Sequence, residues 1–204
     1  MDKLNMWEIE DRHFSQGVRL IRGVDEAGRG PLAGPVCAAA VILPPGLEVP
    51  GLNDSKKLTD KKRRELFPII QEKAVAYGIA FATCEEIDQI NILQATYLAM
   101  ERAIGKLSVR PELALIDGNR SKDFGIPVET VIKGDSLSAS IAAASVLAKV
   151  TRDDYMLEMA KLYPDYDFDV HKGYGTKLHY EKIAAHGICP IHRTTFLKKL
   201  YGTK

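Results

Sequence analysis

The sequence predicts an α/β protein built on a mixed sheet with helices on its faces. Three observations carry this expectation. Short apolar runs alternate along the chain with helix-length segments of amphipathic or small-residue pattern. The first two of those runs are joined by a short crossing that reads as a hairpin, which makes the sheet mixed and argues against a fully parallel, doubly wound fold. The chain has 204 residues, 46% apolar and 27% charged, enough for one well-filled core and few for two.

In chain order, Leu20 to Ala27 reads as a strand and Val36 to Leu43 as a second, bounded by Pro35 and by Pro44-Pro45-Gly46. Thr59 can cap a helix over TDKKRRELFPIIQEKA, which Pro68 should kink or divide. Tyr77 to Thr83 follows as a strand, then Ile90 to Leu107 as a helix with Ile92, Ala95, Thr96, Ala99 and Ala103 on one face. LALI is a short buried strand ending at Asp117, and PVETVI another, followed by KGD. Ser136 to Leu162 is helical, its ASIAAASVLAK stretch small enough for close packing, and Asp135 with Ser136 falls at its N-terminus. A Tyr/Pro/Asp-rich loop and a helix near Lys177 to His186 complete the chain. With no internal repeat, one domain over residues 1–204 is expected, its portion from about 164 to 204 helical and basic.

Composition narrows the function classes. No apolar run approaches the ~18 residues that cross a bilayer, and the N-terminus has no hydrophobic signal core, so a soluble, cytoplasmic protein is expected. Cys37, Cys84 and Cys189 lie far apart with no C-x-x-C pair, which fits buried thiols rather than zinc or disulfides. Net charge is only +1, yet from His171 to Lys204 seven Lys/Arg face one acid, leaving −5 for the rest. An acidic centre that holds cations and a basic rim that meets a polyanion would have this distribution.

The stretch VDEAGRGPLAG, 24–34, carries most of the chemistry. GRGPLA formally fits a dinucleotide-binding loop after a strand, but Pro31 and Pro35 bracket the place where the phosphate-binding helix should run, and Asp25 and Glu26 would face a pyrophosphate. A Walker loop fails for want of G-K-[ST]. The alternative gives the two acids partners at other strand ends, where side chains converge on one sheet edge: Asp117 ends LALID and Asp135 follows VIKG. Like charges ~4 Å apart repel by about 4 kcal/mol at an effective dielectric of 20, so four acids need compensation. All-oxygen ligands favour Mg²⁺ or Mn²⁺, and two such ions ~3.5–4 Å apart can clamp a phosphodiester.

DEAGRGPLAGPV, LNDSKKLT, LIDGN, KGDSLSASIAAASVLAKVTRD and HKGYGT together resemble ribonuclease HII, the type 2 ribonuclease H, in blocks of the family's order from about Gly23 to Phe196. The resemblance implies a ribonuclease H-like mixed sheet with a C-terminal helical portion. It implies endonucleolytic cleavage of RNA in RNA/DNA hybrids and 5′ to single ribonucleotides in duplex DNA, leaving 3′-hydroxyl and 5′-phosphate ends. Asp25, Glu26, Asp117 and Asp135 match the family's metal-binding catalytic acids. Gly28-Arg29-Gly30 matches the loop that reads the ribose 2′-hydroxyl, and Tyr174 the tyrosine that packs on the next sugar. HRTTF has Thr195 where relatives commonly carry serine.

Those matches make physical sense. The 2′-hydroxyl is donor and acceptor and alone separates a ribonucleotide from its DNA neighbours apart from local shape. Glycines bring backbone groups up to a sugar, Arg29 can grip a phosphate through two bonds, and a tyrosine ring can stack on deoxyribose. Further phosphate contacts are expected from Asn53, Ser55, Lys56, Asn119, Lys149 and Arg152, whereas the Lys61–Arg64 run reads as a solvated helix face. His171, near Tyr174, could position that loop or a phosphate, or serve the structure alone. A monomer is the expected unit. The sister ribonuclease HIII usually carries an N-terminal substrate-binding domain, for which the ~20 residues before the first strand leave no room. A silent hybrid-binding protein would not need the four acids, nor a small-molecule phosphatase the basic segment and Tyr174.

Overall fold

A computed structural model of the chain describes residues 5–198. Lys199 and Lys204 of the basic segment lie outside the described residues. A short helix, α1 (Glu8–Ser15), leads into the hairpin of β1 (Ile21–Ala27) and β2 (Val36–Ile42), followed by α2 (Asp60–Lys73), β3 (Ala76–Ala82), α3 (Cys84–Ile104), β4 (Leu113–Asp117) and β5 (Val128–Val131). The long α4 (Ala139–Leu162) comes next, then three shorter helices, α5 (Phe168–His171), α6 (Lys177–His186) and α7 (Thr194–Leu197). The sheet order is β3-β2-β1-β4-β5. β1 pairs antiparallel with β2 and parallel with β4, so the sheet is mixed as the hairpin requires.

The strand period of two divides β2 between two cores. Cys37, Ala39 and Val41 face α2 and α4, with Leu66, Ile70 and Ala143 to Val150 nearby, while Val36, Ala38 and Ala40 face α3 through Ala95, Ala99 and Met100. Both faces are covered, which is why VCAAAVI reads as unbroken apolar sequence. The small residues of α4 bring it into contact with β1: a Cβ on Gly23 would stand 2.1 Å from the carbonyl carbon of Ser140. No described helix is long and apolar enough to cross a membrane.

Several boundaries differ from expectation, each for a local reason. α2 runs unbroken through Pro68 because burial of Leu66 and Ile70 on either side holds it against the core. α3 starts at Cys84 rather than Ile90, since Thr83 and Glu86 form a reciprocal capping box; Asn91, at φ 66°, then breaks its regularity. The helix read from Ser136 begins only at Ala139, capped by Ser138, and Gly134–Ser136 form a separate 3₁₀ turn, so Asp135 does not belong to that helix's first turn. α1 was not legible at all. Its buried Glu10 accepts from the Ser138 hydroxyl at 2.6 Å and the Ser140 amide at 3.0 Å, pinning the start of α4.

Arg22 on β1 is 2% exposed, with Nε and Nη2 unpartnered among the described residues and its guanidinium 5.8 Å from the Phe124 ring centre. Burial pulls its pKa down to about 10. A cation with two of its three nitrogens buried and unbonded costs more than a hydrocarbon of similar shape. Arg22→Met is therefore expected to stabilise the fold by about 1–2 kcal/mol in urea denaturation.

Candidate active site

Three strand ends build the site. Val24 pairs with Ile116 across the parallel β1 and β4, so the next residue of each, Asp25 and Asp117, emerges at the same sheet edge. The turn after β5 brings in Asp135, and it is fastened by the Gly134 amide donating to Asp117 Oδ1 at 2.7 Å. One carboxylate oxygen from each of Asp25, Asp117 and Asp135 lies within 4.8 Å of the others. Glu26 is outside that trio, because successive strand side chains point to opposite faces. Its carboxylate instead meets Arg29 at 3.3 Å.

Electrostatics make the trio unstable by itself. Burial, then the charges of Glu26 and Asp117, holds the Asp25 carboxyl well above the usual range; burial also raises Glu26, against the pull of Arg29. Asp135 is raised by burial too, although Lys56 donates to its Oδ2 at 3.1 Å. Burial pulls Lys56 down, but the hydrogen bond and charge of Asp135 more than reverse this. Converging, desolvated carboxylate oxygens with a single lysine in attendance are a donor set for a hard divalent cation.

A cleft of about 230 Å³ joins the acids to most of the residues expected to bind substrate: Asp25, Glu26, Gly28, Arg29, Gly30, Ser55, Lys56, Asp117, Lys149 and Tyr174 line it. Tyr174 is half exposed, and a Cβ on Gly30 would stand 3.9 Å from its ring, so loop and ring face each other. Lys149 pairs with Asp153 at 2.7 Å and lies 6.0 Å from the Tyr174 ring centre. Asn119 is exposed in a smaller neighbouring pocket that Glu26 and Arg29 share. Asn53 is half-buried and its Oδ1 accepts from the Asp54 amide, away from the cleft lining.

Arg152 is a correction. Its side chain is fully buried and donates to the carbonyls of Pro35, Lys172 and Ala33, all at 3.1 Å, so it is not placed to touch phosphate. Within the run read as a solvated face, Arg63 also turns inward, donating to the carbonyls of Ser55 at 2.8 Å and Leu58 at 2.6 Å and so bracing the LNDSKKL loop.

Sequence reasoning missed Arg193. Also fully buried, it donates to the carbonyls of Gly28 at 2.5 Å, Arg29 at 2.9 Å and Gly34 at 2.9 and 2.7 Å. Gly28, at φ 98°, has no room for a Cβ, which would fall 2.0 Å from Arg152 Nε. Arg193 thus clamps the carbonyls of Gly28 and Arg29 from behind, and Arg152 packs against Gly28. Beside Arg193, the hydroxyls and amides of Thr194 and Thr195 all donate to the Asp88 carboxylate, so the threonine at 195 keeps a working hydroxyl.

A mixed five-stranded sheet flanked by helices, with acids converging at one edge, defines a ribonuclease H-like nuclease fold. Among solved structures, ribonuclease H2 from Pyrococcus horikoshii OT3 superposes with a TM-score of 0.71 at 25% identity, covering 91% of this chain and all of that one. Residues 22–199 match the family model of ribonuclease HII. Relatives named ribonuclease HII from Endomicrobium trichonymphae and Marinomonas sp. (strain MWYL1) are 57% and 59% identical, over 94% and 87% of this chain and 92% and 89% of theirs. The chain belongs to the ribonuclease HII family and is a nuclease, and the family implies use of a divalent metal.

Proposed function

We propose that this protein is an endonuclease that hydrolyses the RNA strand of RNA/DNA hybrids and incises 5′ to single ribonucleotides in duplex DNA, leaving 3′-hydroxyl and 5′-phosphate ends. Ribonucleotide removal from DNA is the process it serves. The observation that carries this reading is the cleft in which Asp25 and Asp117 of the aspartate trio, the G-R-G loop and Tyr174 meet, with Asp135 converging on the two aspartates beside it. Residues 1–204 work as one catalytic domain and one monomer, the basic portion from about 164 to 204 facing the duplex.

Asp25, Asp117 and Asp135, with Glu26 beside them, would hold two Mg²⁺ or Mn²⁺ ions. Such ions supply an activated water on one side of the phosphorus and charge stabilisation for the departing 3′-oxygen on the other. The chain supplies the rest. The Gly28–Gly30 backbone approaches the ribose, where amide and carbonyl groups can match a hydroxyl that both donates and accepts. Arg29, held near the cleft by Glu26, grips a phosphate. Lys56 exchanges Asp135 for a phosphate oxygen, and Ser55, Lys149 and Asn119 extend the backbone contacts. The Tyr174 ring packs on the sugar that follows.

The test is a labelled DNA duplex with one ribonucleotide, an all-DNA duplex and an RNA/DNA hybrid, each in Mg²⁺, Mn²⁺ or EDTA. Metal-dependent incision 5′ to the ribonucleotide, with all-DNA intact, is expected. Cleavage of the hybrid alone would remove the junction roles of Arg29 and Tyr174, and no cleavage in either metal would overturn the proposal.

A further inference from the structure

Behind Tyr174, three of the five histidines meet in the protein interior: His171, His179 and His192 are 6%, 0% and 3% exposed. His171 and His179 stack with ring centres 4.2 Å apart, and the Phe168 ring lies nearly perpendicular to both. Their hydrogen bonds fix the tautomers. His179 Nδ1 lies 2.9 Å from the Tyr174 carbonyl, which only accepts, so Nδ1 carries the hydrogen. His192 Nδ1 lies 2.9 Å from the Cys189 amide, an obligate donor, and 3.2 Å from the Cys189 carbonyl; the shorter contact, and the bare Nε2 of His179 opposite, place its hydrogen on Nε2. That Nε2 faces His179 Nε2 at 3.1 Å, where the first must donate and the second accept. The Cys189 thiol also lies 3.1 Å from His192 Nδ1. One directed chain results, from the Cys189 amide through His192 and His179 to the carbonyl of Tyr174.

We propose that His179 and His192 are positioning residues for the sugar-reading step: their neutral relay sets the backbone of Tyr174, and hence where its ring meets the nucleotide after the ribonucleotide. This rests on the role given to Tyr174 above. The relay is consistent in charge, since burial lowers His171 and His192 and takes His179 down to about 4. Its target is well placed to need it. Tyr174 projects into the cleft from between Gly173 and Gly175, and among the described residues its carbonyl is held only by the Thr176 amide at 2.8 Å and by His179. Gly173 is also pinned, its amide donating to His171 Nδ1 at 3.1 Å, which leaves the His171 Nε2 hydrogen for the Tyr166 carbonyl at 2.8 Å.

Two readouts separate positioning from mere core filling. In ¹⁵N-resolved spectra of the wild-type protein's imidazoles, His179 is expected as the Nδ1–H tautomer and His192 and His171 as Nε2–H. In kinetics, His179→Leu is expected to raise KM on the single-ribonucleotide duplex about tenfold, with a much smaller change on a multi-ribonucleotide hybrid, because a shift of the ring misplaces a contact that only the junction substrate depends on. His179→Asn, which retains a donor near the Nδ1 position, is expected to restore most of that loss. Equal losses on both substrates, no recovery in the Asn variant, or an Nε2–H His179 would overturn the proposal. If the Leu variant does not fold, the Asn variant and the tautomers decide it. If the wild-type protein cuts neither substrate, the functional reading fails instead, and the tautomers still decide whether the relay exists.

Discussion

Asp25→Asn is expected to abolish cleavage, by about a thousandfold or more, and at the same time to stabilise the metal-free fold. The substitution keeps shape and leaves an Oδ1 to accept from the Glu26 amide, now made at 2.7 Å. What it removes is a charge that burial, Glu26 and Asp117 all oppose. Because the Asp25 carboxyl is raised in the folded state, its favourable contribution is complete in acid and is lost as pH rises through that raised pKa. At neutral pH the charged cluster therefore works against folding, and a rise in Tm of about 2–6 °C in EDTA is expected for the variant. The difference from the wild type should shrink as pH falls into the ordinary carboxylate range. Added Mg²⁺ or Mn²⁺ should raise the wild-type Tm and leave the variant nearly unmoved. A variant less stable than wild type in EDTA at neutral pH would mean that Lys56 already neutralises the trio.

What could be read from the sequence follows from the range of the interactions concerned. The β1–β2 hairpin, the five strands and the acids at strand ends are written in short windows of apolar period and turn residues, and all three aspartates do meet. That Glu26 lies beside the trio rather than in it was also implicit, since adjacent residues on a strand face opposite ways. Two local signals were present but unread. Thr83 and Glu86 have capping-box spacing, which moves the start of α3. Ile141, Ser145, Ala148, Arg152 and Met156 follow one helical stripe, which puts Arg152 on the buried face of α4. Arg193 and the histidine relay had no such local mark. Arg193 meets Gly28 across 165 residues, and a buried arginine or histidine that bonds to backbone carbonyls has the same composition as one in solvent. The chain's 3.6 and 2.0 periods report burial of apolar stripes, not which polar group closes which loop.

The second large effect falls on Arg193. Its guanidinium holds three carbonyls of the loop after β1, those of Gly28, Arg29 and Gly34, and a peptide whose carbonyl is fixed has its amide direction fixed as well. Preorganising those amides matters because a loop ordered only on encounter spends binding free energy on its own entropy. Burial pulls the Arg193 pKa down to about 10, which still leaves it charged at neutral pH, so these are charge-assisted bonds. Arg193→Leu strands the carbonyls and should cost about 3 kcal/mol or more in urea denaturation. Arg193→Lys is the more informative change, since an ammonium on a flexible stem cannot reproduce a planar fork across Gly28, Arg29 and Gly34. It should remain folded while kcat/KM on the single-ribonucleotide duplex falls about a hundredfold. The aspartate trio is carried by β1, β4 and the turn after β5, and the hydrogen bonds of the Arg193 guanidinium among the described residues go instead to Gly28, Arg29 and Gly34, so the Tm increase with Mn²⁺ should persist in the lysine variant. Near-wild-type cutting by a folded Arg193→Lys protein would show that substrate, and not the buried clamp, orders the G-R-G loop. Loss of the metal response along with activity would show instead that the clamp and the acids form one cooperative unit.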